Sequence, residues 1–188
     1  MERRELLKMV ALATGGVVIG GEFFLTGCKS KEAEVAGTAF SADNIAFLDE
    51  VAETIIPKTA TAGAKEAGVG KFMTGMVNDC YEENDQKIFH DGMKKLDEAC
   101  NKMHGHSFMK AEPAHRKELL TSLDKEAKGY MKTKKKEDPN HYFFMMKQLT
   151  LLGYFSSKPG LEQNFNYQPV PAKFDGAVPY KKGDKLFV

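Results

Sequence analysis

The chain has 188 residues, with 27 Lys and Arg against 26 Asp and Glu, a net charge of +1, three Cys and no Trp. Near-neutral charge with lysines dispersed among carboxylates supplies no basic field of the kind nucleic acid requires, so that class of partner is excluded. After Cys28 about 160 residues remain, enough for one domain with a real core and too few for two.

Arg3 and Arg4 precede Leu6, Leu7 and Lys8, and a short apolar run over residues 9–21 leads to Leu25, Thr26, Gly27 and Cys28. Paired arginines ahead of a weakly apolar stretch rich in glycine (Gly15, Gly16, Gly20, Gly21) resemble a twin-arginine export signal, with the positive charge held on the cytoplasmic side. Leu-Thr-Gly-Cys resembles a lipoprotein box, in which cleavage leaves Cys28 as a lipidated N-terminus. An uncleaved anchor fits less well, because the run falls short of the roughly 20 apolar residues a membrane-spanning helix needs and Glu22 follows it. Residues 1–27 therefore read as a signal peptide and residues 28–40 as a flexible tether, small and charged with no apolar period. The expected location is the bacterial cell envelope, facing the periplasm, with the membrane contacted through the lipid on Cys28; inner and outer membrane are both open.

Residues 41–155 carry the periodicity of a helical domain. Ser41 is a fitting N-cap for a first helix with Ile45, Leu48, Val51, Ala52, Ile55 and Ile56 on one face, ended by Pro57. A loop rich in Ala, Thr and Gly follows over residues 58–70, then a shorter helix carrying Phe72, Met73, Met76, Val77 and Cys80. A third helix opens near Asp85 with Ile88, Phe89, Leu96, Ala99, Cys100 and Met103 at helical spacing. Pro113 suits a first helical turn, and Leu119, Leu120, Leu123, Ala127 and Tyr130 continue a fourth helix. The lysine run over residues 132–136 reads as a solvated connector. Residues 142–155 are densely apolar and form the expected fifth helix, the central and most buried one.

Beyond Ser156 the pattern changes. Pro159, Gly160, Pro169, Pro171, Gly176, Pro179 and Gly183 forbid a long helix, and Phe165, Tyr167, Phe174, Tyr180 and Phe187 offer large apolar surfaces. Residues 156–188 thus read as an extended arm that either wraps its own domain or lies on a partner. The predicted fold class is all-α: a single domain of about five helices followed by this arm.

Cys80 and Cys100 are an even pair in a compartment that permits disulfides; a bond between them would close a loop of about 20 residues, worth roughly 3 kcal/mol. Two reduced, buried thiols on facing helices are the alternative. His104 and His106 flank Gly105, His115 is near, and Cys100 lies four residues before His104, a weak metal-ligand pattern without the fixed separation a helix imposes. Asp79, Glu82, Glu83 and Asp85 fit a solvated helix end and an acidic helix start better than a cation or acid–base site. The methionines (Met73, Met76, Met103, Met109, Met131, Met145, Met146) suit core filling first and partner surfaces second. No Gly-x-Gly-x-x-Gly indicates a dinucleotide site and no Cys-x-x-Cys-His a covalent haem, so no catalytic residue and no cofactor are assigned to this chain.

The order of these features resembles the gluconate 2-dehydrogenase subunit 3 family, the small subunit of a flavin-dependent glucose-methanol-choline dehydrogenase. The likeness is carried by Phe47 and Leu48 with Ala52-Glu53-Thr54-Ile55-Ile56-Pro57, by Gly63-Ala64-Lys65-Glu66-Ala67-Gly68-Val69, and by Leu149-Thr150-Leu151-Leu152-Gly153-Tyr154-Phe155-Ser156-Ser157 with Gly160. Tyr167-Gln168-Pro169-Val170-Pro171 and Phe174-Asp175-Gly176 resemble the family's ending. Two departures stand out: Ala62 replaces the proline of a Pro-Gly-Ala loop, and Met73-Thr74 stand where an Asp is common. The resemblance implies a non-catalytic accessory subunit that assists export and assembly of a large subunit carrying FAD, with haem on a cytochrome c subunit. A stand-alone periplasmic lipoprotein scaffold, or a metal-binding lipoprotein using Cys100, His104 and His106, are the other readings. A partner interface is expected where the arm and the 63–69 loop present apolar surface, at Gly63, Val69, Tyr154, Phe155, Tyr167 and Phe174.

Overall fold

The Ser41 hydroxyl accepts the Asn44 N–H at 3.2 Å and so opens α1, Ala42–Ile55. In the computed structural model, residues 40–170 and 176–188 are described; the expected export signal, the expected lipidation site at Cys28, the expected tether before residue 40, and Phe174 lie outside them. Pro57 lacks the N–H that would continue α1, and the chain turns away after Ile56 caps onto Ala52 O at 2.8 Å. Helix α2, Val69–Cys80, starts from Gly68, whose φ of +70° is a left-handed conformation that favours glycine. Its first turn meets α1 closely, for the Gly70 N–H donates to Asp49 Oδ1 at 2.8 Å and a Cβ there would lie 2.7 Å from Ile45 O.

Helix α3, Glu83–His104, begins two residues earlier than Asp85 and ends at Gly105, left-handed at φ +76°. Glu83 and Asp85 fall in its first turn, where carboxylates complement the helix dipole. A 3₁₀ turn, Phe108–Lys110, leads into α4, Pro113–Thr133, with Pro113 at the first helical position. Helix α5, Tyr142–Ser156, packs against α1, α2, α3, α4 and α6, which makes it the central element, as its composition predicts. Leu48, Val51, Met73, Val77, Phe89, Leu96, Phe108 and Met146 are fully removed from solvent in one core. Each such side chain contributes about 1.5–3 kcal/mol by burial. Thr150, buried within α5, donates to Met146 O at 2.8 Å and leaves no hydroxyl unpaired.

Two expectations are corrected. The arm does not begin at residue 156, because Lys158–Asn164 form a sixth helix, α6. Pro159 and Gly160 sit in its first turn, where a missing N–H costs nothing, and Ser157 Oγ accepts the Gly160 N–H at 3.1 Å. A Cβ on Gly160 would come 1.8 Å from Tyr154 O, so glycine is what lets α6 fold back onto the end of α5. The arm starts at Phe165. Cys80 and Cys100 are not bonded: Cys80 is exposed at the end of α2 and Cys100 is buried in α3. Glu83 to Cys100 is unbroken helix, which carries Cys100 about 25 Å along the axis, far beyond the Cα separation of about 7 Å that a disulfide spans.

Candidate partner interface

Residues that recur in the family pattern converge on one structural lock. The Glu53 carboxylate accepts the N–H groups of Lys58 at 2.8 Å and Lys65 at 2.9 Å, and a Cβ on Gly63 would lie 2.3 Å from its Oε2. The Tyr154 hydroxyl donates to Ala62 O at 2.8 Å and accepts from Asn164 Nδ2 at 3.2 Å. Ala62 N–H donates to Gln163 Oε1 at 2.6 Å, a bond that proline has no donor to make. That bond accounts for alanine at this departure from the pattern. Met73, which with Thr74 stands where the resemblance implies an Asp, is wholly buried, and the Thr74 hydroxyl donates to Lys71 O at 2.8 Å.

This lock corrects three of the expected interface residues. Gly63 and Val69 are buried and Tyr154 is 2% exposed, so none of them reaches a partner. Their loop is held down by Glu53 from below and by α6 from above, which covers the apolar surface that the sequence left open. Phe155 and Tyr167 do reach solvent, at 40% and 45%.

Sequence reasoning missed an exposed apolar surface on the outer side of α5. Gln148, Leu151, Leu152 and Phe155 follow each other at three- and four-residue steps and therefore share one face. Leu151 is 40% and Leu152 52% exposed. Helix α5 is apolar over most of its circumference, yet only its inner faces are covered, and a contiguous exposed apolar patch marks an interaction site more often than a tolerated defect. The ring of Phe155 extends the face toward the arm by stacking edge-on with Phe165 at 5.7 Å between centroids. The signal was present: a helix apolar at every turn, in a domain too small to surround it, leaves one face bare.

Beyond Phe165 the arm stays in solvent, with residues 166–170 and 176–188 exposed throughout. Of the two fates open to it, wrapping its own domain does not describe these residues. Its chain instead turns back and pairs with itself through a parallel bridge between Asn166 and Phe187.

The metal-ligand pattern is not assembled. Cys100 lies in the core, its thiol pushed up in pKa chiefly by burial, while His106 is exposed in the loop after α3. His104 stacks on His115 with ring centroids 4.2 Å apart and planes 9° apart. Imidazole lone pairs lie in the ring plane, so two parallel stacked rings cannot converge on one ion. Among the described residues, no group of three His, Cys, Asp or Glu is placed to hold a metal. A cleft of about 490 Å³ between α1 and α3 is lined by Asp43, Phe47, Met93, Lys94 and Asp97. Asp97 is engaged by the Phe108 N–H at 2.7 Å and Lys94 by Asp91 at 3.4 Å.

The family model for gluconate 2-dehydrogenase subunit 3 matches residues 42–172. No curated protein and no solved structure matches the chain.

Proposed function

The chain belongs to the gluconate 2-dehydrogenase subunit 3 family, and from that premise we propose that it is the non-catalytic small subunit of a flavin-dependent sugar or polyol dehydrogenase on the bacterial envelope. FAD and the oxidation of the substrate belong to a large subunit of the glucose-methanol-choline type, and onward electron transfer to a cytochrome c subunit. This chain supplies adhesion. The observation that carries the reading is the bare apolar face of α5 at Leu151, Leu152 and Phe155, which an isolated domain gains nothing by exposing.

Export completes the role. A twin-arginine signal at Arg3 and Arg4 passes folded cargo, so a large subunit without a leader of its own crosses as a passenger, and Cys28 then holds the assembly at the membrane through its acyl chains. Replacing both arginines (Arg3→Lys, Arg4→Lys) is expected to strand this chain and the flavin subunit together in the cytoplasm, read by fractionation and immunoblot. Normal delivery of the flavin subunit in that strain would refute the passenger role.

A further inference from the structure

The C-terminal arm carries a recognition element separate from the α5 face: the free edge of a short ribbon. Asn166 N–H donates to Leu186 O at 2.8 Å, Val188 N–H to Asn166 O at 3.4 Å, and Gln168 N–H to Val188 O at 2.9 Å. Along a strand, successive peptide groups point to opposite edges. Asn166 spends both its N–H and its C=O on the facing strand, so Tyr167 and Phe187 turn theirs outward, and neither makes a backbone bond among the described residues.

A two-stranded ribbon of this length is marginal in water, and its apolar side chains are uncovered, with Phe187 62% exposed beside Leu186 and Val188. Unpaired edges of this kind template the addition of another strand. The strand that bears Phe187 is also basic. Lys181, Lys182 and Lys185 outnumber Asp184, which already accepts the Lys181 N–H at 2.9 Å. A second copy of the chain would bring two lysine-rich ribbons together, whereas a segment flanked by carboxylates meets the charge.

We infer that the Phe187 edge pairs, main chain to main chain, with an extended, carboxylate-flanked segment of the large subunit, adding a strand across the subunit boundary. The inference rests on the subunit reading above and gives its contact a definite chemistry. Main-chain pairing is separable from side-chain packing by two substitutions. Phe187→Ala removes the ring and keeps the N–H. Phe187→Pro removes the outward N–H as well, at an edge position that tolerates proline because no bond within the ribbon is lost.

The test measures the affinity of the full mature chain for the purified flavin subunit, at low and high salt, with the helical circular dichroism of each variant as the folding control. Phe187→Pro is expected to bind about tenfold more weakly than Phe187→Ala, the effect of losing one interfacial hydrogen bond, and wild-type binding is expected to weaken with salt. Equal binding by the two variants would overturn strand addition while leaving the subunit reading intact. No binding by the wild type would overturn the subunit reading itself. Self-association of the wild type that Phe187→Pro abolishes would assign the edge to a second copy and overturn the inference.

Discussion

Leu152→Lys is expected to release the chain from the flavin subunit while leaving its helices folded. Leu152 lies at the middle of the exposed α5 face and is more than half in solvent, and the methylenes of lysine keep much of the contact its buried part makes. Lysine is a good helix former, and a positive charge near the C-terminal end of α5 agrees with the helix dipole. The isolated domain should therefore keep its melting temperature. In a closed interface the same ammonium must be desolvated against apolar neighbours. A central position of this kind is worth about 3 kcal/mol, a weakening of more than about a hundredfold in Kd. Titration calorimetry against the flavin subunit reads it, and unchanged affinity would take the α5 face out of the interface.

Arg116→Ala is expected to have the largest effect on the fold. The Arg116 guanidinium donates to Phe108 O at 2.9 Å and Met109 O at 2.8 Å, forms an ion pair with Glu50 across from α1, and lies 5.4 Å above the Phe108 ring. Its side chain is only 15% exposed. Truncation strips two carbonyls of their donor and leaves the Glu50 carboxylate with Lys65 alone, a loss of about 3 kcal/mol in urea unfolding. Lys65, the other partner of Glu50, is 54% exposed, and Lys65→Ala should cost less than about 1 kcal/mol. The two lysyl and guanidinium partners also set a pH dependence. Lys65 first, and Arg116 with it, hold the Glu50 carboxyl below the usual range, and Lys128 and Lys147 do the same for Asp124. Groups whose folded pKa is depressed stabilise the fold fully above their unfolded pKa of about 4 and lose that contribution as pH falls through the folded value. Asp49, raised chiefly by burial, acts with the opposite sign. Arg116→Ala should therefore also flatten the acid limb of the stability curve; an unaltered limb and an unaltered urea midpoint would show that the clamp is dispensable.

Much of the helical architecture is legible in the sequence because its punctuation is local. Ser41, Pro57, Gly105 and Pro113 each act within one turn, and the apolar spacing between them sets the buried faces. The reading of residues 156–164 failed because Pro159 and Gly160 have two meanings. In a helix interior they break it; in a first turn they do not, and only the cap at Ser157 and the contact of Gly160 with Tyr154 O decide between the two. The proposed disulfide failed on arithmetic the sequence already held, since a continuous α3 separates the two thiols by most of its length.

The interface was legible in part. Phe155 and Tyr167, named through their place in the pattern, are exposed as a contact surface requires, but the same pattern drew in Gly63, Val69 and Tyr154, which are buried in the loop lock. Family likeness marks residues that matter without saying whether they matter to the fold or to a partner. That distinction lies in long-range bonds such as Tyr154 to Ala62, 92 positions apart in the numbering, and no local spacing encodes it. Leu151 and Leu152 were hidden for the converse reason, because a densely apolar helix reads as buried on every side.

Native mass spectrometry of the assembly solubilised from membranes addresses the account most directly. The prediction is one particle holding this chain, acylated at Cys28, together with the flavin-bearing subunit. Recovery of this chain alone, with the flavin subunit intact and membrane-bound elsewhere, would contradict it.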